Sequence, residues 1–243
     1  MVLQSLIDNN VVVNPKKCQI AQSEVKFLGY QVSASGYKAD TSRVDKFEQL
    51  KPPRNRRDLM RTIGFIQWFR LFIKNLSNKL IPLTNKLKKG AFSWSQTDTN
   101  VVTQLIEDIK QHTLLTFPEP SQPYDLYCDA SDHSIGAVLV QNGKTVGLYS
   151  YKLNTTEQNY SICEKECYSI FKAMNYFKTI IFGSKVKVLT DNRNITFPKN
   201  INSNRVQRWF SILQEFNHEI QFIEGKSNQA ADCLSRDTIE KKT

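Results

Sequence analysis

In the second half of the chain, apolar and polar positions first alternate with a period of two and then switch to a helical period. Tyr124, Leu126, Cys128 and Ala130 alternate with Asp125, Tyr127 and Asp129, the pattern of a half-buried strand. Two further strands are expected at 135–141 and 145–152, joined by Asn142-Gly143, a dipeptide suited to a hairpin turn. Ser161-Ile162-Cys163-Glu164 reads as a capping box, in which Ser161 caps a helix and Glu164 reaches back to it. Cys163, Cys167, Ile170, Phe171, Met174, Phe177 and Ile181 then form the apolar stripe of a long helix that Gly183 ends. Residues 186–191 make a fourth strand, reached through that helix and therefore parallel to a neighbour by a right-handed crossover. A helix at 205–216, a strand at 219–223 and a short helix at 228–235 complete the order βββαβαβα.

The first half is patterned differently. Residues 24–33 alternate but are broken by Gly29, which suggests a short strand pair or bent hairpin. Helices are expected at 40–50, ended by Pro52-Pro53, then at 57–76 and at 101–113. Residues 117–123, FPEPSQP, contain three prolines that sit in neither a helix nor a central strand, and mark a domain boundary.

Charge sharpens this division. The 243 residues carry a net charge of +10. Residues 1–117 hold 18 Lys and Arg against 9 Asp and Glu, whereas residues 118–243 hold 15 against 14. Residues 51–89 alone contain 11 basic residues and one acid, Asp58, interleaved with Phe65, Trp68, Phe69 and Phe72. That combination points to a surface that tracks phosphates more than to a merely solvated helix. With 40% hydrophobic residues the chain can build a core, and no apolar run approaches the ~20 residues a membrane span needs. The start MVLQSLIDNN lacks the features of a signal peptide, so an intracellular protein is expected. The five cysteines, Cys18, Cys128, Cys163, Cys167 and Cys233, form no C-x-x-C pair, and His112, His133 and His218 have no ligand spacing. Neither structural zinc nor a disulfide framework is supported.

Candidate chemistry rests on carboxylates. Asp129 near the end of the first strand, Glu166 at the margin of the apolar helical stripe, Asp191 closing the fourth strand and Asp232 beside Ala230 and Ala231 each have an ordinary structural explanation when taken singly. Together they place four acids on four elements of one α/β domain, bordering one sheet edge. Such acids repel unless cations neutralise them. Hard oxygen ligands suit Mg²⁺, and a pair of such ions about 4 Å apart forms a clamp for displacement at phosphorus.

The strings LYCDASDHSIGAVLVQ, YSICEKECYSIFKAM, VLTDN and GKSNQAADCLSR, in this order, resemble the ribonuclease H domain of gypsy-like LTR retrotransposon polyproteins. NPKKCQIAQSEVKFLGYQVSASG is similar to the end of the reverse transcriptase palm of that family, and DLMRTIGFIQWFRLFIKNLSNKLIPLTNKLKKG to its thumb and the segment leading to the nuclease. The resemblance implies an RNase H-like mixed five-stranded sheet with helices, preceded by a small basic α+β region. It divides the chain into the end of a palm with a primer-grip-like hairpin (1–39), a thumb and connecting region (40–117) and an RNase H-like domain (118–238).

What the resemblance implies about chemistry is cleavage of the RNA strand of an RNA–DNA hybrid, with two Mg²⁺ ions, or Mn²⁺ in their place, held by Asp129, Glu166, Asp191 and Asp232. Glu166 occupies the family's second glutamate, while Glu164 is accounted for by the capping box. The primer-grip match puts Phe27, Leu28, Gly29 and Tyr30 at a primer terminus, and Arg56, Arg57, Arg61, Arg70 and Lys74 of the basic run on the duplex. Asn192, and Arg205 and Arg208 of a basic-aromatic helix, are expected to meet the hybrid, with Trp209 in the core. Asn192 stands where relatives often carry His, and Leu71 where many carry a second Arg, which alters one substrate contact and weakens one phosphate contact. No catalytic histidine is assigned, and His218 is expected to be structural or at the surface.

The partners implied are an RNA–DNA hybrid, a primer–template duplex and the upstream palm and fingers of the same polyprotein, with homodimerisation left open and no membrane. A cytoplasmic location within retroelement particles is expected. The family's Y-x-D-D-type polymerase motif lies upstream of NPKKC, so no polymerase activity is expected of this chain alone. The alternative is a non-catalytic nucleic-acid-binding remnant of a truncated element. An integrase or resolvase of related fold is disfavoured by the order of the acids.

Overall fold

The computed structural model describes residues 2–40, 42, 44, 52–88, 90–111, 114–120, 122–196 and 203–224. A short helix, α1 (Val2–Asp8), buries none of its residues. It precedes three antiparallel strands, β1 (Glu24–Phe27), β2 (Tyr30–Ser33) and β3 (Gly36–Ala39). The alternation at 24–33 led to a strand pair; a third strand is added because Ser33 and Gly36 close a second tight turn. In the first turn Phe27 pairs with Tyr30, leaving Leu28 at φ 50° and Gly29 at φ 84° as a two-residue loop. Both lie in the left-handed region that this hairpin geometry requires. A β-carbon on Gly29 would stand 2.3 Å from the Trp68 ring, so a side chain there would displace the ring as well as strain the backbone.

The expected helix at 40–50 falls outside the described residues apart from Asp40, Ser42 and Val44. The single helix expected at 57–76 is corrected: it ends at Trp68, and two short helices follow after a break. α2 (Arg56–Trp68) starts at Asn55, whose side chain accepts from the Asp58 N–H, and ends at Phe69. After an irregular stretch come α3 (Leu76–Lys79) and α4 (Ile81–Asn85). Phe69, Phe72, Ile73 and Leu76 keep helical spacing through the break and are all buried, so apolar periodicity does not register it. The chain turns at the buried Asn75, which adopts φ 51°, a left-handed conformation that Asn tolerates better than most residues. α5 (Gln96–Lys110) begins five residues before the expected position, because Ser95 and Asp98 form a capping box.

The second half follows the expected order. β4 (Tyr124–Ala130), β5 (Ser134–Gln141) and β6 (Lys144–Lys152) form an antiparallel meander, turned between β5 and β6 by Asn142 and Gly143 with φ 52° and 74°. A one-turn helix, α6 (Thr155–Gln158), leads to α7 (Ile162–Tyr176), which begins at the Ser161–Glu164 capping box. The long helix is interrupted at Phe177, and α8 (Lys178–Ile181) continues it. β7 (Val186–Thr190) lies parallel to β4; α9 (Asn204–Leu213) then leads to β8 (His218–Phe222), parallel to β7. The sheet order is β6-β5-β4-β7-β8. The helix expected at 228–235 lies outside the described residues.

Alternation on β4 buries Tyr124, Leu126 and Cys128, which join Ala137, Leu139, Cys167, Ile170, Met174, Val188 and Trp209 in one apolar cluster. Truncating a fully buried leucine such as Leu126 costs ~2–5 kcal/mol in such a core. A second cluster holds Leu59, Ile66, Phe69, Phe72, Leu83 and Leu105 of the first half. The two meet at β6, the edge strand of the larger sheet. There the Ser77 N–H donates to Ser150 Oγ at 3.0 Å, Arg70 Nη2 to the Ser150 carbonyl at 3.3 Å and Lys152 Nζ to Thr84 Oγ1 at 3.0 Å. Covering this edge removes a row of backbone groups that would otherwise template association.

Candidate active site

β4 and β7 run parallel with Tyr127 opposite Leu189. Asp129 and Asp191, each two residues further on, therefore reach the same end of the sheet. Asp191 directly follows the last residue of β7, and the turn after it is held by Asn192, whose N–H donates to Thr190 Oγ1 at 3.2 Å and whose Oδ1 accepts from the Asn194 N–H at 3.0 Å. Glu166 comes from the start of α7, which packs on β4, and is only 6% exposed.

One carboxylate oxygen from each of Asp129, Glu166 and Asp191 lies within 4.8 Å of the other two. Glu166 Oε2 is fully buried and has no hydrogen-bond partner among the described residues. Burial first, then the neighbouring Asp129 and Asp191, push the Glu166 carboxyl up to about 9, against a smaller opposing pull from the Ala130 backbone N–H. A buried acid with an unanswered acceptor beside two other acids is what a hard cation would satisfy, and oxygen donors of this kind fit Mg²⁺ or Mn²⁺. The fourth expected acid, Asp232, lies outside the described residues.

Glu164, only two residues from Glu166, points elsewhere. It accepts from the Ser161 N–H at 3.0 Å, from Ser203 Oγ at 2.9 Å and from Arg205 Nη1 at 3.5 Å. Lys165 between them is buried, and its Nζ donates to Asp132 Oδ1 at 3.0 Å, tying α7 to the turn after β4. His218 starts β8 opposite Val186, at the end of the sheet away from the acids, with Nδ1 3.0 Å from the Phe216 carbonyl.

The expected nucleic-acid contacts are spread more widely. Phe27 and Leu28 project from the β1–β2 turn, while Tyr30 stacks on Trp68 with ring centroids 5.5 Å apart. Arg57, Arg61, Arg70 and Lys74 are exposed. Arg56 is committed internally, its guanidinium donating to the carbonyls of Lys88 and Gly90. Lys79 and Lys86 also act as staples, paired with Asp108 at 2.7 Å and Asp98 at 2.8 Å. Leu71 is partly buried against the apolar cluster of the first half. Arg205 and Arg208 lie exposed on α9, whereas Trp209 is buried in the apolar cluster of the larger sheet.

Sequence reasoning missed two polar features at this end of the sheet. Glu157 is buried and accepts from the Asn154 N–H and from the hydroxyls of Tyr151 and Tyr168. Its signal was present as a second capping box, Asn154-x-x-Glu157. A polar groove lined by Thr155, Thr156, Asn159, Tyr160 and Arg205 has no motif of its own.

The model of the RNase H-like domain found in reverse transcriptase matches residues 119–216. The Transposon Tf2-3 and Tf2-4 polyproteins of Schizosaccharomyces pombe (strain 972 / ATCC 24843) are each 38% identical to the chain over 252 residues, covering 97% of it and 18% of their own length. Among solved structures, the foamy viral protease-reverse transcriptase in complex with dsDNA superposes with a TM-score of 0.82 at 19% identity, over 92% of this chain and 50% of that one. The same viral protein in complex with an RNA/DNA hybrid gives 0.80 at 19% identity, over 100% and 35%. The fold of the second half is thus that of a reverse-transcriptase-associated RNase H-like domain. Across nearly its whole length the chain is similar to one segment of these retrotransposon polyproteins, and it spans about a fifth of the length of the curated relatives it matches. No helix among the described residues is long and apolar enough to cross a membrane.

Proposed function

We propose that this chain is the ribonuclease H portion of a retrotransposon reverse transcriptase, hydrolysing the RNA strand of RNA–DNA hybrids with Asp129, Glu166, Asp191 and Asp232 as its metal-holding acids. The observation that carries the reading is the buried, unpartnered Glu166 Oε2 in a carboxyl clustered with those of Asp129 and Asp191, where burial and these neighbours disfavour its charged form. Bound divalent cations would supply charge neutralisation and an activated water for in-line attack at phosphorus. The chain's own contribution is positional. Parallel β4 and β7 set Asp129 and Asp191 level, and the capped N-terminus of α7 presents Glu166 to them.

In this reading residues 118–238 are the nuclease domain. Residues 40–117 form the thumb and connection that hold the duplex through Arg57, Arg61, Arg70 and Lys74, and residues 1–39 end the palm with Phe27 and Leu28 at a primer terminus. The remaining partners are the upstream palm and fingers, which would carry RNA-directed DNA polymerisation in the longer polyprotein. The 2′-hydroxyl marks the strand to be cut. The test is cleavage of a labelled RNA–DNA hybrid with Mg²⁺ by the unmodified chain and by its Asp129→Asn and Glu166→Gln variants. Metal-dependent cutting of the RNA strand that both substitutions abolish supports the reading. Absence of cutting, with salt-sensitive hybrid binding retained, would leave a non-catalytic nucleic-acid-binding remnant instead.

A further inference from the structure

Where the two halves of the chain meet at β6, the meeting leaves a polar cleft of about 250 Å³. Gln67 near the end of α2 and Arg70 just beyond it form one wall, with Ser77 of α3 beside them. Residues 150–152 of β6 form the other. Ser150 and Lys152 lie two residues apart on the strand, so their side chains leave the same face of the sheet. Tyr151 between them is pinned: its hydroxyl donates to Glu157 at 3.2 Å, and Lys172 Nζ lies 4.6 Å from its ring centroid.

The two cations of this cleft are answered differently from lysines that join elements elsewhere. Lys79, Lys86, Lys165 and Lys178 each reach an acid at 2.7 to 3.0 Å. Arg70 and Lys152 have no ion pair among the described residues. Arg70 makes one long hydrogen bond, 3.3 Å to the Ser150 carbonyl, and Lys152 one to the Thr84 hydroxyl at 3.0 Å. Most donors on both heads are therefore unspent. The Gln67 amide and the Ser77 hydroxyl also make no hydrogen bond among the described residues, and no acid lines the cleft. Unlike Arg61, which pairs with Asp58 on its own helix, Arg70 reaches across to the other half.

Two cations facing one cleft without an acid repel each other until an anion comes between them. A tetrahedral oxyanion suits such a site. Its oxygens can take the guanidinium fork on one wall and the ammonium on the other, and the amide and hydroxyl complete the donor set. A carboxylate, with two oxygens, would leave one wall unanswered. The cleft has room for a small anion and none for a duplex.

We infer that this cleft is a site for a free phosphate-bearing anion, inorganic phosphate or diphosphate, which bridges the RNase H-like domain to the helices before it. Arg70 and Lys152 are its charged ligands, and Gln67 and Ser77 its neutral donors. The inference stands apart from the nuclease reading, which cedes to it one of the proposed duplex contacts and none of its acids.

The test is isothermal titration calorimetry of the full chain with sodium diphosphate and, separately, sodium phosphate, in metal-free buffer at fixed ionic strength. One site per chain is expected. Arg70→Gln and Lys152→Gln should each weaken it about tenfold or more, the usual consequence of losing a charged hydrogen bond. Lys152→Arg keeps the charge and should stay within about threefold, which a general loss of folding would not allow. Arg57→Gln makes the same charge change outside the cleft and should bind as the unmodified chain does. Heat that fits many weak sites, unchanged in both cleft variants, would mean diffuse adsorption to a basic chain and overturns the site. Absence of anion binding also overturns it. If, in addition, the salt slope of hybrid binding falls by about one in each cleft variant, the cleft belongs to a strand phosphate instead. The nuclease reading survives each of these results, because hybrid cleavage by the unmodified chain tests it separately.

Discussion

Two glutamates at one end of the sheet are equally buried and have opposite surroundings. Glu157 and Glu166 are each 6% exposed. Glu157 receives the Asn154 N–H at 2.8 Å, the Tyr168 hydroxyl at 2.5 Å and the Tyr151 hydroxyl at 3.2 Å. Glu166 faces Asp129 and Asp191 and keeps one oxygen without a donor. Burial of a carboxylate is costly in both places. At Glu157 the fold supplies the compensating donors itself, and the acid braces β6 against α6 and α7. At Glu166 the fold withholds them, so the compensation must arrive from outside as a proton or a cation. A buried charge therefore reports structure or chemistry according to what faces it.

The comparison breaks most sharply on activity. Glu166→Gln is expected to lower Mg²⁺-dependent hybrid cleavage by more than ~100-fold, since losing even a group that merely orients a metal ligand costs ~10–100-fold. Glu157→Gln keeps the shape of its site and should leave the rate per folded molecule within about threefold. Single-turnover cleavage at saturating metal checks both. Equal losses in the two variants would sink the distinction between a bracing acid and a reacting one.

Stability should sort the same residues in the reverse order. Glu157→Ala strands two tyrosine hydroxyls and the N-cap N–H, an expected loss on the order of 3 kcal/mol. For a chain of this size each kcal/mol moves the midpoint by about 2–4 °C, so thermal melting should show a drop of several degrees. An Asp129→Asn or Glu166→Gln protein should melt no lower than the unmodified one when metal is absent.

The pH dependence sharpens this further. Glu166 holds its proton more tightly folded than unfolded, with a folded pKa near 9 against an ordinary value of 4.5. The unfolded chain therefore releases that proton first as pH rises. The contribution of the protonated acid is fully present below about 4.5 and is lost progressively as pH climbs toward 9. In metal-free buffer, the unmodified protein should lose ~2 kcal/mol relative to Glu166→Gln between pH 5 and pH 8. Added Mg²⁺ should abolish the difference. A flat comparison across this range, measured by urea unfolding, would mean that the trio relaxes apart and ionises freely.

Much of this arrangement was legible because its determinants are local. The alternation of 124–130, the Ser161–Glu164 box and the stripe from Cys163 to Ile181 place Asp129, Glu166 and Asp191 on the right elements, and a βαβ crossover can bring β4 and β7 together only in one hand. Glu157 was passed over because its partners Tyr151 and Tyr168 lie 6 and 11 residues away, a spacing no periodicity registers. The break after Trp68 was hidden for the converse reason: Phe69, Phe72, Ile73 and Leu76 preserve helical spacing while the backbone turns at Asn75. The basic run looked like one surface, yet Arg56 is drawn onto carbonyls of the loop after α4, and Lys79 and Lys86 into ion pairs with α5, contacts that only tertiary structure defines.

The smallest expected effect concerns Lys165, the buried cation between the two kinds of glutamate. Its ammonium reaches Asp132 at 3.0 Å, and Asp132 is held there below the ordinary aspartate range by that hydrogen bond and charge. Asp132 is largely exposed, so the pair adds little to global stability. Its geometric consequence is more specific: it joins the turn after β4 to the first turns of α7, the two segments that present Asp129 and Glu166 to each other. Lys165→Met preserves the buried stem but removes the tether. Mg²⁺ titration followed by thermal shift should show affinity reduced by less than about tenfold, below the loss seen for removing a ligand. A metal affinity unchanged in Lys165→Met would mean that β4 and α7 hold the acids in register through their apolar packing alone, and that the only buried cation beside the trio among the described residues serves the turn and not the site.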